Sequence, residues 1–98
     1  MIVIRRLIWD GWNAPHISRH DVTLDEVEEA CHAEPVLYRY SDKERFMLLG
    51  ETPTGRVLAI VIGPVPDEEP GTYYPFTARP ADRRERREYN DLKGGHVT

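Results

Sequence analysis

The sequence predicts an α+β domain: a small, mostly antiparallel sheet with helices gathered on one face, in the order β-α-α-β-β-β-β-α. Three observations carry this. Apolar residues recur at helical spacing in Leu24, Val27, Ala30 and Cys31, and from Val36 the pattern changes to three short β-rich runs, VLYRY, RFMLLGE and RVLAIVIG. The last two runs flank Thr52-Pro53-Thr54-Gly55, which suits a type I turn closing an antiparallel hairpin.

The elements follow in order. IVIRRLIW, residues 2–9, reads as a strand from its β-branched content, ended by the turn pair Asp10-Gly11. Asn13 is a good N-cap and Pro15 suits a first turn, which predicts a short helix from Ala14 to about Arg19. Thr23 followed by Glu26 forms a capping box, predicting a second helix from about Leu24 to Ala33 that Pro35 ends. Cys31 lies on its apolar stripe and reads as a core packer. RVLAIVIG is so uniformly apolar that it belongs at the centre of the sheet. GPVPDEEPG reads as an exposed acidic loop, and TYYPFT as a strand that Pro75 demotes to an edge, open to pairing in a homodimer. The closing helix is expected to begin at Pro80 and stop before Gly94-Gly95.

At 98 residues, with 40% hydrophobic and 31% charged side chains, the chain fits a single domain, 1–98, with an ordered core over about 2–92 and a flexible tail at 93–98. The one cysteine rules out an intrachain disulfide and a thiol-built zinc site. The charged N-terminus offers no signal-peptide core, and no stretch is long enough to span a membrane, so the expectation is a cytoplasmic protein without membrane association. The net charge of −4 argues against a surface dominated by nucleic-acid affinity. That charge is uneven: residues 1–78 hold 7 basic and 13 acidic side chains, net −6, whereas 79–98 hold 6 and 4, net +2. Arg79, Arg83, Arg86 and Arg87 recur at helical spacing and would form a ridge for phosphate or an acidic protein.

Three motifs resemble the BrnT family of toxins from bacterial type II toxin–antitoxin systems. They are Ile8-Trp9-Asp10, then Arg19-His20-Asp21-Val22-Thr23 before a helix, then Thr77-Ala78-Arg79-Pro80-Ala81 followed by Arg83-Arg84-Glu85-Arg86. The resemblance runs from about Leu7 to Tyr89. It implies a compact fold similar to the RelE and barnase-like ribonucleases, RNA as substrate, and neutralisation by a small cognate antitoxin encoded alongside. The chain departs from the family pattern in places. The family's lysine after Trp-Asp has no counterpart in Gly11-Trp12-Asn13-Ala14-Pro15, its asparagine corresponds to His16, its next lysine to Arg19, and its glycine to Asp21.

Metal-free RNA cleavage needs a base for the 2′-hydroxyl, an acid for the leaving 5′-oxygen, and cations for the phosphate. His20 matches the family's histidine and can exchange a proton near neutral pH; His16, four residues earlier, can share its work. Their spacing also suits a metal, with Asp10 and Asp21 the nearest third ligands, but two histidines without a carboxylate in place are a weak zinc signal, and no metal or cofactor is assigned. Arg79 matches the family's Ser-Ala-Arg position and is the expected phosphate contact, supported by Arg83 one turn on. Arg86 with Glu85 beside it matches the family's glutamate-arginine pair, and the two read as an intrahelical or helix-to-sheet ion pair. Tyr73, Tyr74 and Tyr89 suit base stacking or core packing, while His32 and His96 belong to no site. Two functions remain: a metal-independent endoribonuclease using His20, Arg79, His16 and Arg83, or a toxin-like binding module without chemistry that engages a protein through the arginine-rich C-terminal helix.

Overall fold

In the computed structural model, which describes residues 2–42 and 44–94, the elements run β1 (Arg6–Leu7), α1 (Asn13–Ser18), α2 (Leu24–Cys31), β2 (Leu37–Asp42), β3 (Arg45–Glu51), β4 (Val57–Pro64), β5 (Thr72–Pro80) and α3 (Arg83–Gly94). The order is the expected one. The strands form one sheet in the order β1-β5-β4-β3-β2, antiparallel throughout except for the parallel β1–β5 pair. β4 sits at its centre, as its apolar run predicts. The β3–β4 hairpin closes through Gly55 N–H to the Thr52 carbonyl at 2.9 Å, and Gly55 takes the φ of 89° that glycine accepts most readily.

β1 is much shorter than the expected strand over 2–9. Beyond Leu7 the parallel ladder keeps one bond, Ile8 N–H to the Tyr73 carbonyl at 2.9 Å. Pro75 has no N–H to continue it, and the Asn13 side-chain amide instead bridges the carbonyls of Ile8 (2.9 Å) and Pro75 (3.0 Å). β5 is therefore flanked by β1 at Thr72 and Tyr73 rather than being a free edge there, so TYYPFT is not open along its length to a second copy. Past that point α1 packs against β5. The strand at the far border is β2.

Side-chain alternation sorts the core into two clusters. Leu48, Leu58, Ile60, Ile62 and Ala78 meet Ile17 of α1 and Val27, Ala30 and Cys31 of α2. On the other face Leu49, Val57 and Ala59 meet Ala81 and Tyr89. The helices thus lie on both faces, not one: α3 crosses the sheet surface opposite α1 and α2. The cause is parity, since successive strand residues point to opposite faces. Ala78 faces α1 and α2, and the chain then reaches α3 by way of Ala81, whose side chain belongs to the opposite face.

Local chemistry explains the helix boundaries. At α2 both halves of the Thr23–Glu26 capping box are made, at 2.9 and 3.1 Å. Gly50 lets α2 approach β3 so closely that a Cβ there would lie 2.1 Å from the Ala30 carbonyl oxygen. α3 starts at Arg83 rather than Pro80, because Arg79 and Pro80 prolong β5 opposite Ala59 and Leu58. Its cap is Asp82, which accepts from Glu85 N–H at 2.8 Å while its own N–H donates to Glu85 at 2.9 Å. α3 also runs through Gly94 instead of stopping before it. Of the tail expected to be flexible, Lys93 and Gly94 belong to α3; residues 95–98, His96 among them, lie outside the described residues. No described helix is long and apolar enough to cross a membrane.

Candidate functional site

The segment leading into α1 is built around Asp10. Its carboxylate accepts from Trp12 N–H at 2.8 Å and Asn13 N–H at 2.9 Å, and the Tyr74 hydroxyl donates to it at 2.9 Å. These bonds favour the charged form, so Asp10 stays below its ordinary pKa, chiefly through the Asn13 and Trp12 amides. Tyr74 is pushed up, by burial first and then by that bond. Asn13 is not the N-cap: Trp12 holds the cap position without a side-chain bond, and Asn13 turns inward, fully buried. The capping work passes to Asp10, which satisfies two of the amides that a helix start leaves free.

Along α1, residues four apart stack on one side. The Trp12 and His16 rings are nearly parallel, with centroids 4.8 Å apart, and His20 meets His16 edge-on at 5.4 Å. The spacing therefore does bring His16 and His20 together. His20 is exposed and His16 half-buried. Among the described residues no three histidine, cysteine, aspartate or glutamate side chains are placed to hold a metal ion.

Arg79 and Arg83 sit elsewhere. Arg79, paired in the ladder with Ala59, shares the α3 face of the sheet, whereas its neighbour Ala78 packs with Ile17 of α1. Its guanidinium grips Glu85 in a two-pronged ion pair, 2.7 and 2.8 Å. That contact raises the Arg79 pKa and lowers that of Glu85. Of the ion pairing expected at Glu85 and Arg86, the helix-to-sheet form is found at Glu85, with Arg79 of β5, whereas Arg86 donates to the Ala81 carbonyl at 2.7 Å. Arg83 opens α3, exposed and without an ion pair among the described residues. No hydrogen bond or ring contact among the described residues joins either histidine to either arginine.

The α3 face of the sheet carries a constellation that the sequence did not single out. Arg45 lies over the Phe76 ring with its guanidinium carbon 3.7 Å from the centroid, and Tyr74 meets Phe76 edge-on at 5.0 Å. Phe76 fits there because Gly63 has no side chain; a Cβ would come within 3.1 Å of its ring. On the same face, Arg39 pairs with Glu88 at 2.6 Å, beside a groove lined by Met47, Leu49, Asp82 and Arg84. Only register reveals this group: Arg39, Arg45 and Phe76 come from three different strands, and a bulge between Val61 and Ile62 sets which way Phe76 points.

Asp21, a departure from the glycine that the resemblance expects, has a backbone account. Asp21 adopts φ 61°, a left-handed conformation that glycine favours and aspartate tolerates. Arg56 fixes it by donating to the Asp21 carbonyl and to the Glu26 carboxylate, the latter at 3.0 Å.

Neither a protein-family model nor a curated protein sequence matches the chain. Among solved structures it is similar to the Brucella abortus ribonuclease toxin BrnT, at 20% identity and a TM-score of 0.58, over 80% of this chain and 97% of that one. The likeness shows a shared fold, an α+β arrangement with a five-stranded mixed sheet and three helices.

Proposed function

We propose that this protein is a toxin-like endoribonuclease of a type II toxin–antitoxin pair, held in check by a small antitoxin encoded beside it. The observation that carries this reading is the fold it shares with a ribonuclease toxin along nearly the whole of that chain. In the proposed reaction His20 takes the 2′-hydroxyl proton and His16, one turn away, returns a proton to the leaving 5′-oxygen. Two adjacent imidazoles suit a step that moves two protons without a metal ion. Arg79 and Arg83, on the sheet face opposite the histidines, contact the RNA backbone at other phosphates, and Arg79 does so by exchanging the Glu85 carboxylate for a phosphate oxygen.

The test is RNA cleavage by the purified protein in EDTA. His20→Ala is expected to lower the rate about a hundredfold or more with an unchanged melting temperature, since no side-chain hydrogen bond of His20 is lost. Full activity in that variant would remove His20 from the mechanism.

One observation favours the second reading, a binding module without chemistry: Arg79, the chosen phosphate contact, is already engaged by Glu85. On that reading exposed Arg83 and its neighbours on α3 hold an acidic protein. Growth arrest on expression, relieved by the neighbouring gene product, supports the toxin; complex formation without growth arrest or RNA cleavage supports the module.

A further inference from the structure

Trp12 is 57% exposed, and the other exposed large apolar side chains among the described residues, Val3 and Leu92, sit on different elements. Within α1, Ile17 is fully buried, so it does not extend the indole into an exposed apolar patch. That setting does not suit protein docking, which takes roughly 800 Å² per partner around an apolar centre. Its ring neighbours are imidazoles: His16 lies parallel to it at 4.8 Å, and His20 follows at 5.4 Å from His16. A ring so supported on one side is held in orientation while much of its surface stays open. A flat, oriented π-surface of this kind suits an unpaired nucleobase, because every base has a π-face to offer.

We propose that Trp12 stacks an unpaired base of single-stranded RNA, placing the adjoining phosphodiester beside His16 and His20. The proposal rests on the ribonuclease reading above and deepens it by naming the substrate class as single-stranded RNA, read by stacking rather than by base-edge hydrogen bonds. Trp12 is thus a positioning residue for the scissile phosphate.

The chain has two tryptophans, so Trp9→Phe leaves Trp12 as the sole indole reporter. Titration of that full-length variant with a mixed-sequence 2′-deoxy hexanucleotide, which lacks the attacking hydroxyl, is expected to quench its emission. An abasic hexamer of equal charge is expected to leave it unchanged. Should Trp9→Phe not fold, the difference between wild type and Trp12→Phe gives the same reading. Trp12→Ala is expected to weaken hexamer binding about tenfold or more and Trp12→Phe to restore most of it; in RNA cleavage the loss falls on KM.

Equal quenching by the abasic hexamer, or unchanged affinity in Trp12→Ala, overturns the proposal. So does an emission change that only the neighbouring gene product elicits, which would make Trp12 a protein contact. The two readings fail separately. Base-dependent quenching without RNA cleavage removes the nuclease and leaves the stacking site; cleavage with an unchanged KM in Trp12→Ala does the reverse.

Discussion

Asn13 holds the histidine-bearing helix to the sheet, and its removal can be priced from the structure. The side chain is fully buried and makes three bonds: its amide donates to the Ile8 and Pro75 carbonyls at 2.9 and 3.0 Å, and its oxygen accepts from Asp10 N–H at 2.9 Å. Asn13→Ala strands all three partners. At about 1 kcal/mol per bond the loss is about 3 kcal/mol; the Asp10 amide recovers water because it is exposed, while the buried Pro75 carbonyl does not. Against a total of roughly 5–15 kcal/mol for a small domain, this corresponds to a fall in melting temperature of roughly 12–24 °C. Asn13→Asp keeps the shape but turns an acceptor toward two carbonyls, so it should cost more than alanine at neutral pH. Urea unfolding followed by circular dichroism measures both. A loss below about 1 kcal/mol for Asn13→Ala, or an aspartate variant as stable as wild type, would refute the bridging role.

Other perturbations test other joints. Cys31 is 4% exposed and its thiol is pushed up to about 12, by burial and then by Glu28; the native protein should resist a thiol reagent at pH 8 and react once unfolded. Gly50→Ala drives a Cβ into backbone atoms of Ala30 and should cost about 3 kcal/mol or more, whereas Gly11→Ala meets nothing within 4 Å and should be nearly neutral. Glu85, Glu26 and Asp10 all titrate lower when folded, Glu85 chiefly through Arg79. Their contribution is present above the unfolded carboxylate pKa of about 4 and is lost as pH falls through the folded values. Urea midpoints should therefore drop below about pH 4, and Glu85→Gln should be less stable at neutral pH with a shallower acid limb.

What the sequence made legible was whatever short-range chemistry decides. β3 has the expected bounds because an apolar run meets a Thr-Pro-Thr-Gly turn, and α2 starts where Thr23 and Glu26 cap each other. The second capping pair, Asp82 and Glu85, carries the same signal at the true start of α3, but Pro80 drew the boundary three residues early. The end of β1 was hidden because it depends on Asn13 meeting Pro75, 62 residues away. The side taken by α3 was hidden for a related reason: a bulge in β5 reverses which residues face the core, and one residue of shift exchanges the faces. Of the candidate site, the His16–His20 adjacency follows from helical spacing alone. Arg79's engagement by Glu85, and the Arg45–Phe76 stack, depend on tertiary register that no local pattern encodes.

The arginines make the same point about charge. Counted along the chain, Arg79, Arg83, Arg86 and Arg87 suggest a ridge, yet the fold engages two of them, Arg79 with Glu85 and Arg86 with the Ala81 carbonyl, as it engages Arg39 with Glu88 and Arg56 with Asp21 and Glu26 elsewhere. Glu85 does double work, since the oxygen that binds Arg79 at 2.7 Å also accepts the Asp82 amide that caps α3. The Arg79–Glu85 pair is therefore a joint between the end of β5 and the first turn of α3. A phosphate that draws Arg79 away from Glu85 removes one arm of this joint and leaves the cap as the other. Were Arg79 to bind a phosphate, as proposed, that binding and the docking of α3 would be coupled by one carboxylate, and a partner that grips α3 would in turn bias whether Arg79 is free to meet a phosphate.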